Sequence, residues 1–129
     1  MKRLIVLLAV VTLTACSTVQ SWIPSFNDPN QSARIIDVRS DVERIDCSQP
    51  QLAQALQIQR DLQWFHLYSE SSGFRHNDVL RLIAPMEEAV KDWVDRSSKE
   101  QPSKIYCEIK RNILREQAKS AARAVIGRF

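Results

Sequence analysis

The stretch "DPNQSARIIDVRSDVERIDCSQPQ", Asp28 to Gln51, decides the fold. It opens with an acid that can cap a helix, a proline at the first helical position and a glutamine at the third, which together form a helix start signal. Ile35, Val38, Val42 and Ile45 then recur at 3-4-3 spacing, so one apolar stripe runs along a helix that ends near Asp46. Ser48-Gln49-Pro50-Gln51 repeats the capping-box pattern, which predicts a second helix starting within a few residues of the first. Two helices so closely joined run antiparallel.

The same reading extends to the C-terminus. The second helix is expected to reach about Ser72, before Gly73. A third runs from Asn77 to about Ser98, with Val79, Ile83, Met86, Val90 and Trp93 along one face. Pro85 lies inside it and predicts a kink rather than an end. Pro102-Ser103 opens a fourth helix, with Ile105, Ile109, Ile113 and Val125 expected to line its buried face and Gly127 to stop it. Only two glycines occur in 129 residues, which disfavours a turn-rich β fold. The expectation is an all-α, up-down-up-down four-helix bundle over residues 29–129.

The N-terminus reads differently. Lys2 and Arg3 precede an apolar run from Leu4 to Ala15. Twelve residues make about 18 Å of helix, short of the ~30 Å core of a bilayer. The run has the layout of a secretory signal. Its last four residues, Leu13-Thr14-Ala15-Cys16, resemble the lipobox of bacterial lipoproteins. The resemblance implies that residues 1–15 are cleaved and that Cys16 carries a diacylglycerol. It also implies a further acyl chain, such as palmitate, on the new amino end. Two or more acyl chains make a stable anchor without a spanning helix. The residue after the cysteine is Ser17, not Asp, which by the rule of that family implies the outer membrane, facing the periplasm. Residues 16–28 then form the lipidated cysteine and a tether, in which Trp22, Ile23 and Phe26 either sit at headgroup level or fold back on the domain.

With Cys16 acylated, Cys47 and Cys107 remain, and two cysteines in an oxidising envelope compartment are expected to form a disulfide. In an up-down-up-down bundle the end of the first helix and the start of the fourth share a pole, so pairing and topology agree. The disulfide pole should point away from the membrane, with the turn near Gly73 and the C-terminus on the membrane side.

Charge is uneven. From Lys104 to Phe129 there are seven basic and two acidic residues, a net of +5; from Ser17 to Ser103 nine basic and thirteen acidic, a net of −4. Arg111, Arg115, Lys119 and Arg123 form a stripe that can meet phosphates of anionic lipid or lipopolysaccharide, or an acidic protein. The plainer reading is a solvated face with Glu108–Arg111 and Glu116–Lys119 pairs. "LQWFHLYSE", Leu62 to Glu70, is apolar almost all round a helix; Trp64, Phe65 and Tyr68 are core residues or a docking patch. His66, Glu70 and His76 match no metal-ligand motif, so no metal or cofactor beyond the lipid on Cys16 is expected. Ser, His and Asp within residues 69–78 lack a nucleophile elbow, and no catalytic residue is expected. Ala118, Ala121, Ala122 and Ala124 suit close internal packing better than a homodimer seam.

These observations point to a non-enzymatic binding or structural module for another envelope component. A regulator, an immunity or exclusion lipoprotein, or a phage lysis lipoprotein shares the same sequence features. Nucleic acid is not an expected partner.

Overall fold

The computed structural model describes residues 28–73 and 76–127. The signal, Cys16, the tether and Arg128 lie outside the described residues. Four helices follow one another: α1 Pro29–Glu43, α2 Gln51–Ser71, α3 Asn77–Ser97 and α4 Lys104–Ile126. No strand occurs among the described residues, and none of the helices is long and apolar enough to cross a membrane.

The helix starts follow local chemistry. The Asp28 carboxylate accepts from the N–H groups of Asn30 and Gln31 at 2.9 and 3.2 Å, and Pro29 follows it. Ser103 caps α4 by accepting from the Tyr106 N–H at 3.2 Å. The expected capping box of α2 does not form. Ser48 instead donates its hydroxyl and its N–H to Asp46 Oδ1, and Gln51 turns into the core. Gln54 ties this corner down by accepting from the Asp46 N–H and donating to the carbonyls of Asp46 and Pro50. The helix α3 continues through Pro85. Gly73, at φ +88°, makes the left-handed turn after α2, where only glycine is comfortable. At the end of α4, a side chain at Gly127 would lie 2.7 Å from the Arg123 carbonyl oxygen.

Each helix packs on its two neighbours in a ring, α2 on α3 and α1 on α4 most extensively. Cross-helix bonds show that neighbours run antiparallel. Gln31 at the start of α1 meets Ser69 at the end of α2, and Gln51 at the start of α2 meets Trp93 near the end of α3. Cys47, just past α1, is bonded to Cys107 in the first turn of α4, with Cα atoms 5.7 Å apart. The expected up-down-up-down bundle and its disulfide are both present.

Stepping inward from these fixed pairs by threes and fours gives layers of one residue per helix. Ile35, Phe65, Val79 and Ala121 form one; Val38, Leu62, Ile83 and Ala118 the next; Val42, Ile58, Met86 and Leu114 the third, all buried. Both ends of the core are polar: Gln31, Ser69 and His76 at the pole where α1 begins, Gln51 and Trp93 at the disulfide pole.

One expectation about α4 fails. Ile105, Ile109 and Ile113 are 70%, 54% and 42% exposed, and the buried residues are Cys107, Leu114, Ala118, Ala121, Ala122 and Val125. Ile105 stands about 160° round the helix from the buried Cys107 at 100° per residue, on the side away from the core, and the ~40° drift of each four-residue step turns the row back only far enough to lower exposure from Ile105 to Ile113. The buried alanines leave α4 with small side chains on the face it turns to α1 and α3. Ala118, Ala121 and Ala122 therefore serve internal packing, and Ala124 is exposed.

Candidate functional site

The aromatic run on α2 divides between core and surface. The phase set by Gln51, Ala55, Ile58 and Leu62 carries Phe65 and Ser69 fully inside. Phe65 is therefore no part of a docking patch. Trp64 is 40% exposed, Leu67 is exposed and Tyr68 is half-buried. The Trp64 and Tyr68 rings stack with centroids 5.0 Å apart and planes 8° from parallel. The Arg34 guanidinium lies 4.5 Å from the Trp64 centroid and also pairs with Asp61 at 3.3 Å and Asp37 at 3.5 Å. Burial and the Asp41 carboxyl beside it push the Asp61 carboxyl above its ordinary range. The Tyr68 hydroxyl donates to Asp28 Oδ1 at 3.3 Å and accepts from Asn30 Nδ2 at 3.0 Å. The stack thus joins α1 to α2 and leaves part of Trp64, with Leu67, to solvent.

Beside it, between α2 and α3, a groove of about 420 Å³ has Leu62 and Val90 in its lining and Gln59, Gln63, His66, Leu67, Glu87 and Lys91 around them. His66 Nδ1 is 2.9 Å from Glu87 Oε1, across the helix pair. Glu87 was not among the residues singled out in the sequence, since partners between helices carry no local signal.

The two histidines are not brought together. His76 is buried at the opposite side of the α2–α3 turn from His66, and its Nδ1 accepts from Gln31 Nε2 at 2.8 Å. The same amide donates to Ser69 Oγ at 3.0 Å, so one glutamine satisfies two buried acceptors. Glu70 is exposed. Among the described residues no group of three His, Cys, Asp or Glu side chains is placed to hold a metal ion.

The basic stripe also divides. Lys110 Nζ is 2.6 Å from Asp92 Oδ2 and lies over the Tyr106 ring, which Arg96 covers at 4.6 Å. The Tyr106 hydroxyl donates to Asp92 at 2.9 Å. The bond from Lys110, then that from Tyr106, holds the Asp92 carboxyl below the usual range, and burial pushes the Tyr106 phenol up. Arg115 Nε is 3.0 Å from Glu43 Oε2, and its Nη2 donates to the Glu43 carbonyl at 3.3 Å. Arg111 is half-buried, and its Nε has no hydrogen-bond partner. Arg115 thus belongs to the α1–α4 seam. Lys119 and Arg123 have no ion-pair or hydrogen-bond partner among the described residues. The expected Glu108–Arg111 and Glu116–Lys119 pairs do not form; the cations of α4 that reach neighbouring helices are Lys110 and Arg115. Four-residue steps of about 40° carry the row Arg111, Arg115, Lys119 and Arg123 from the α1 seam round to the outer face.

Compared with protein-family models, curated proteins and solved structures, the chain matches none.

Proposed function

We propose that this chain is a membrane-anchored envelope lipoprotein whose helical bundle is a non-enzymatic binding or structural module for another envelope component. The observation that carries the reading is Cys16, placed in Leu13-Thr14-Ala15-Cys16 directly after a basic start and a short apolar run. The Cys47–Cys107 bond supports it, because such a bond persists in an oxidising compartment. It also leaves Cys16 as the one cysteine outside the bundle's covalent framework. By the lipobox rule, Ser17 favours the outer membrane with the bundle in the periplasm.

The surfaces available to a partner are narrower than the sequence suggests. They are the exposed part of Trp64 with Leu67 and the groove beside them, and the outer face of α4 with Lys119 and Arg123. Arg115 and Lys110 are engaged within the fold.

Intact mass of the purified protein and palmitate labelling in cells test the anchor. The wild type should begin at Cys16 and carry acyl chains; Cys16→Ala should carry none and be released from the membrane fraction by a high-salt wash that leaves the wild type bound. An unacylated wild-type chain retaining residues 1–15 refutes the reading. Crosslinking in the envelope, with Trp64→Ala and Leu67→Ser as surface controls, then tests whether the bundle holds a protein partner.

A further inference from the structure

The outer face of α4 is built like a helix that lies on a membrane. Ile105, Ile109 and Ile113 point to solvent along its distal half, and Ile126 is exposed at its other end. Lys119 and Arg123 accompany them, and their side chains have no ion-pair or hydrogen-bond partner among the described residues. The segment 104–129 carries a net +5, but Lys110 and Arg115 are paired with Asp92 and Glu43 within the fold, so the basic side chains of the outer face itself are Lys119 and Arg123. Large apolar side chains flanked by basic ones, on an otherwise polar helix, are the pattern of interfacial binding.

We infer that α4 is the face by which the bundle lies against an anionic lipid surface. The isoleucines enter the boundary between headgroups and acyl chains, and Lys119 and Arg123 meet lipid phosphates. Glu116 on the same side and Glu108 at its edge offset part of that attraction, so the preference for anionic lipid is modest and falls with salt. The geometry fits a tether. As a 23-residue helix, α4 is about 35 Å long. The eleven residues from Ser17 to Asn27 span at most roughly 35–40 Å when extended. A chain held at Cys16 has enough slack for the bundle to lie on its side, which replaces the upright orientation, disulfide pole away from the membrane, expected from the order of the helices. The inference rests on the envelope reading for its setting, while the binding itself needs no acyl group.

A second copy fits the face less well. Two copies on one membrane, related about its normal, would place α4 against α4 in parallel and set Lys119 and Arg123 against themselves. Three isoleucines also supply only a few hundred Å², against about 800 Å² per partner in a stable interface.

The test uses the mature chain with Cys16→Ser, so that no acyl group contributes. Its sedimentation with phosphatidylglycerol–phosphatidylcholine vesicles (3:7) is compared with pure phosphatidylcholine. Binding should favour the anionic vesicles by a factor of about five and fall as salt rises. Ile105→Ser/Ile109→Ser/Ile113→Ser and Lys119→Glu/Arg123→Glu should each lower it by a similar factor, with helix content and melting unchanged. Equal or no binding to the two vesicles, or binding indifferent to both variants, overturns the inference. A dimer in solution that the isoleucine variant dissolves overturns it in favour of a second copy. Failure here leaves the acylation of Cys16 untouched, and an unacylated native Cys16 leaves vesicle binding untouched.

Discussion

Gln51→Glu changes one atom group in a sealed site, and its cost should depend on pH. Gln51 is 1% exposed. Its Nε2 donates to the Pro102 carbonyl at 2.8 Å, and its Oε1 accepts from Trp93 Nε1 at 2.9 Å. A protonated carboxyl reproduces both bonds, since its carbonyl accepts from Trp93 and its hydroxyl donates to Pro102. The carboxylate cannot: it loses the donor, faces a carbonyl oxygen and is charged in a buried place. Its folded pKa is therefore raised above the unfolded value of about 4.3. The folded state holds the proton more tightly, so stability is retained below pH ~4. It falls as pH rises toward the folded pKa. If burial raises the pKa by about three units, the loss is about 4 kcal/mol near neutral pH. That is a large share of the ~5–15 kcal/mol typical of a domain. Gln51→Leu should be costly at every pH, because it strands two buried groups at about 1–3 kcal/mol each. Urea unfolding of both variants and the wild type at pH 4.5 and 7.5 measures this directly. A glutamate variant whose two values differ by no more than the wild type's refutes the sealed site between Trp93 and Pro102.

Reducing the Cys47–Cys107 bond frees a loop of sequence separation 60 and should cost about 4 kcal/mol. The melting temperature should fall by roughly 20 °C, measured with and without reductant and in Cys47→Ala/Cys107→Ala. Leu114→Ala should cost about 2–5 kcal/mol, whereas Ile113→Ser, the adjacent residue, should stay within about 0.5 kcal/mol; denaturant midpoints compare them. Asp92 is held below the ordinary carboxyl range by Lys110 and Tyr106. Its contribution is thus present above the unfolded pKa and lost as pH falls through the folded one. Because the pair is largely solvated it should amount to less than about 1 kcal/mol, and Asp92→Asn should flatten the wild-type stability profile slightly between pH 6 and 2.

The parts of the fold that were legible are those where several local signals coincide. Asp28, Pro29 and the 3-4-3 spacing of Ile35 to Ile45 mark one helix together, and Cys47 with Cys107 fixes which helices meet. The second helix starts at Gln51 as its sequence signal predicts, but the capping box does not form, because Asp46 on the other side of the turn competes for Ser48 and wins. The buried face of α4 was misread because size was taken as the sign of burial. Alanines face the core there, and the largest apolar side chains are left outside. Along α2, composition alone cannot separate Trp64 from Phe65. The phase running from Ala55 through Ile58 to Leu62 does separate them, and it selects Phe65. The buried glutamines had a usable signal as well: Gln31 and Gln51 stand at positions where the apolar rhythm calls for a hydrophobic residue. The pairs His66–Glu87 and Arg115–Glu43 had none, because they depend on how helices distant in sequence align.

The sulfur–sulfur bond also has a mechanical meaning. It joins the far end of α1 to the near end of α4, while the start of α1 and the end of α4 lie together at the other pole. A pull between those ends therefore runs up α1, across the bond and down α4. Everything from Ser48 to Tyr106 hangs from that path as an unloaded branch. The α2–α3 hairpin and its groove are shielded from tension by covalent structure, and peeling α1 from α4 pays out chain only as far as Cys47 and Cys107. Were the chain held at Cys16 as proposed, the bond would be a built-in stop against a pull on its other end.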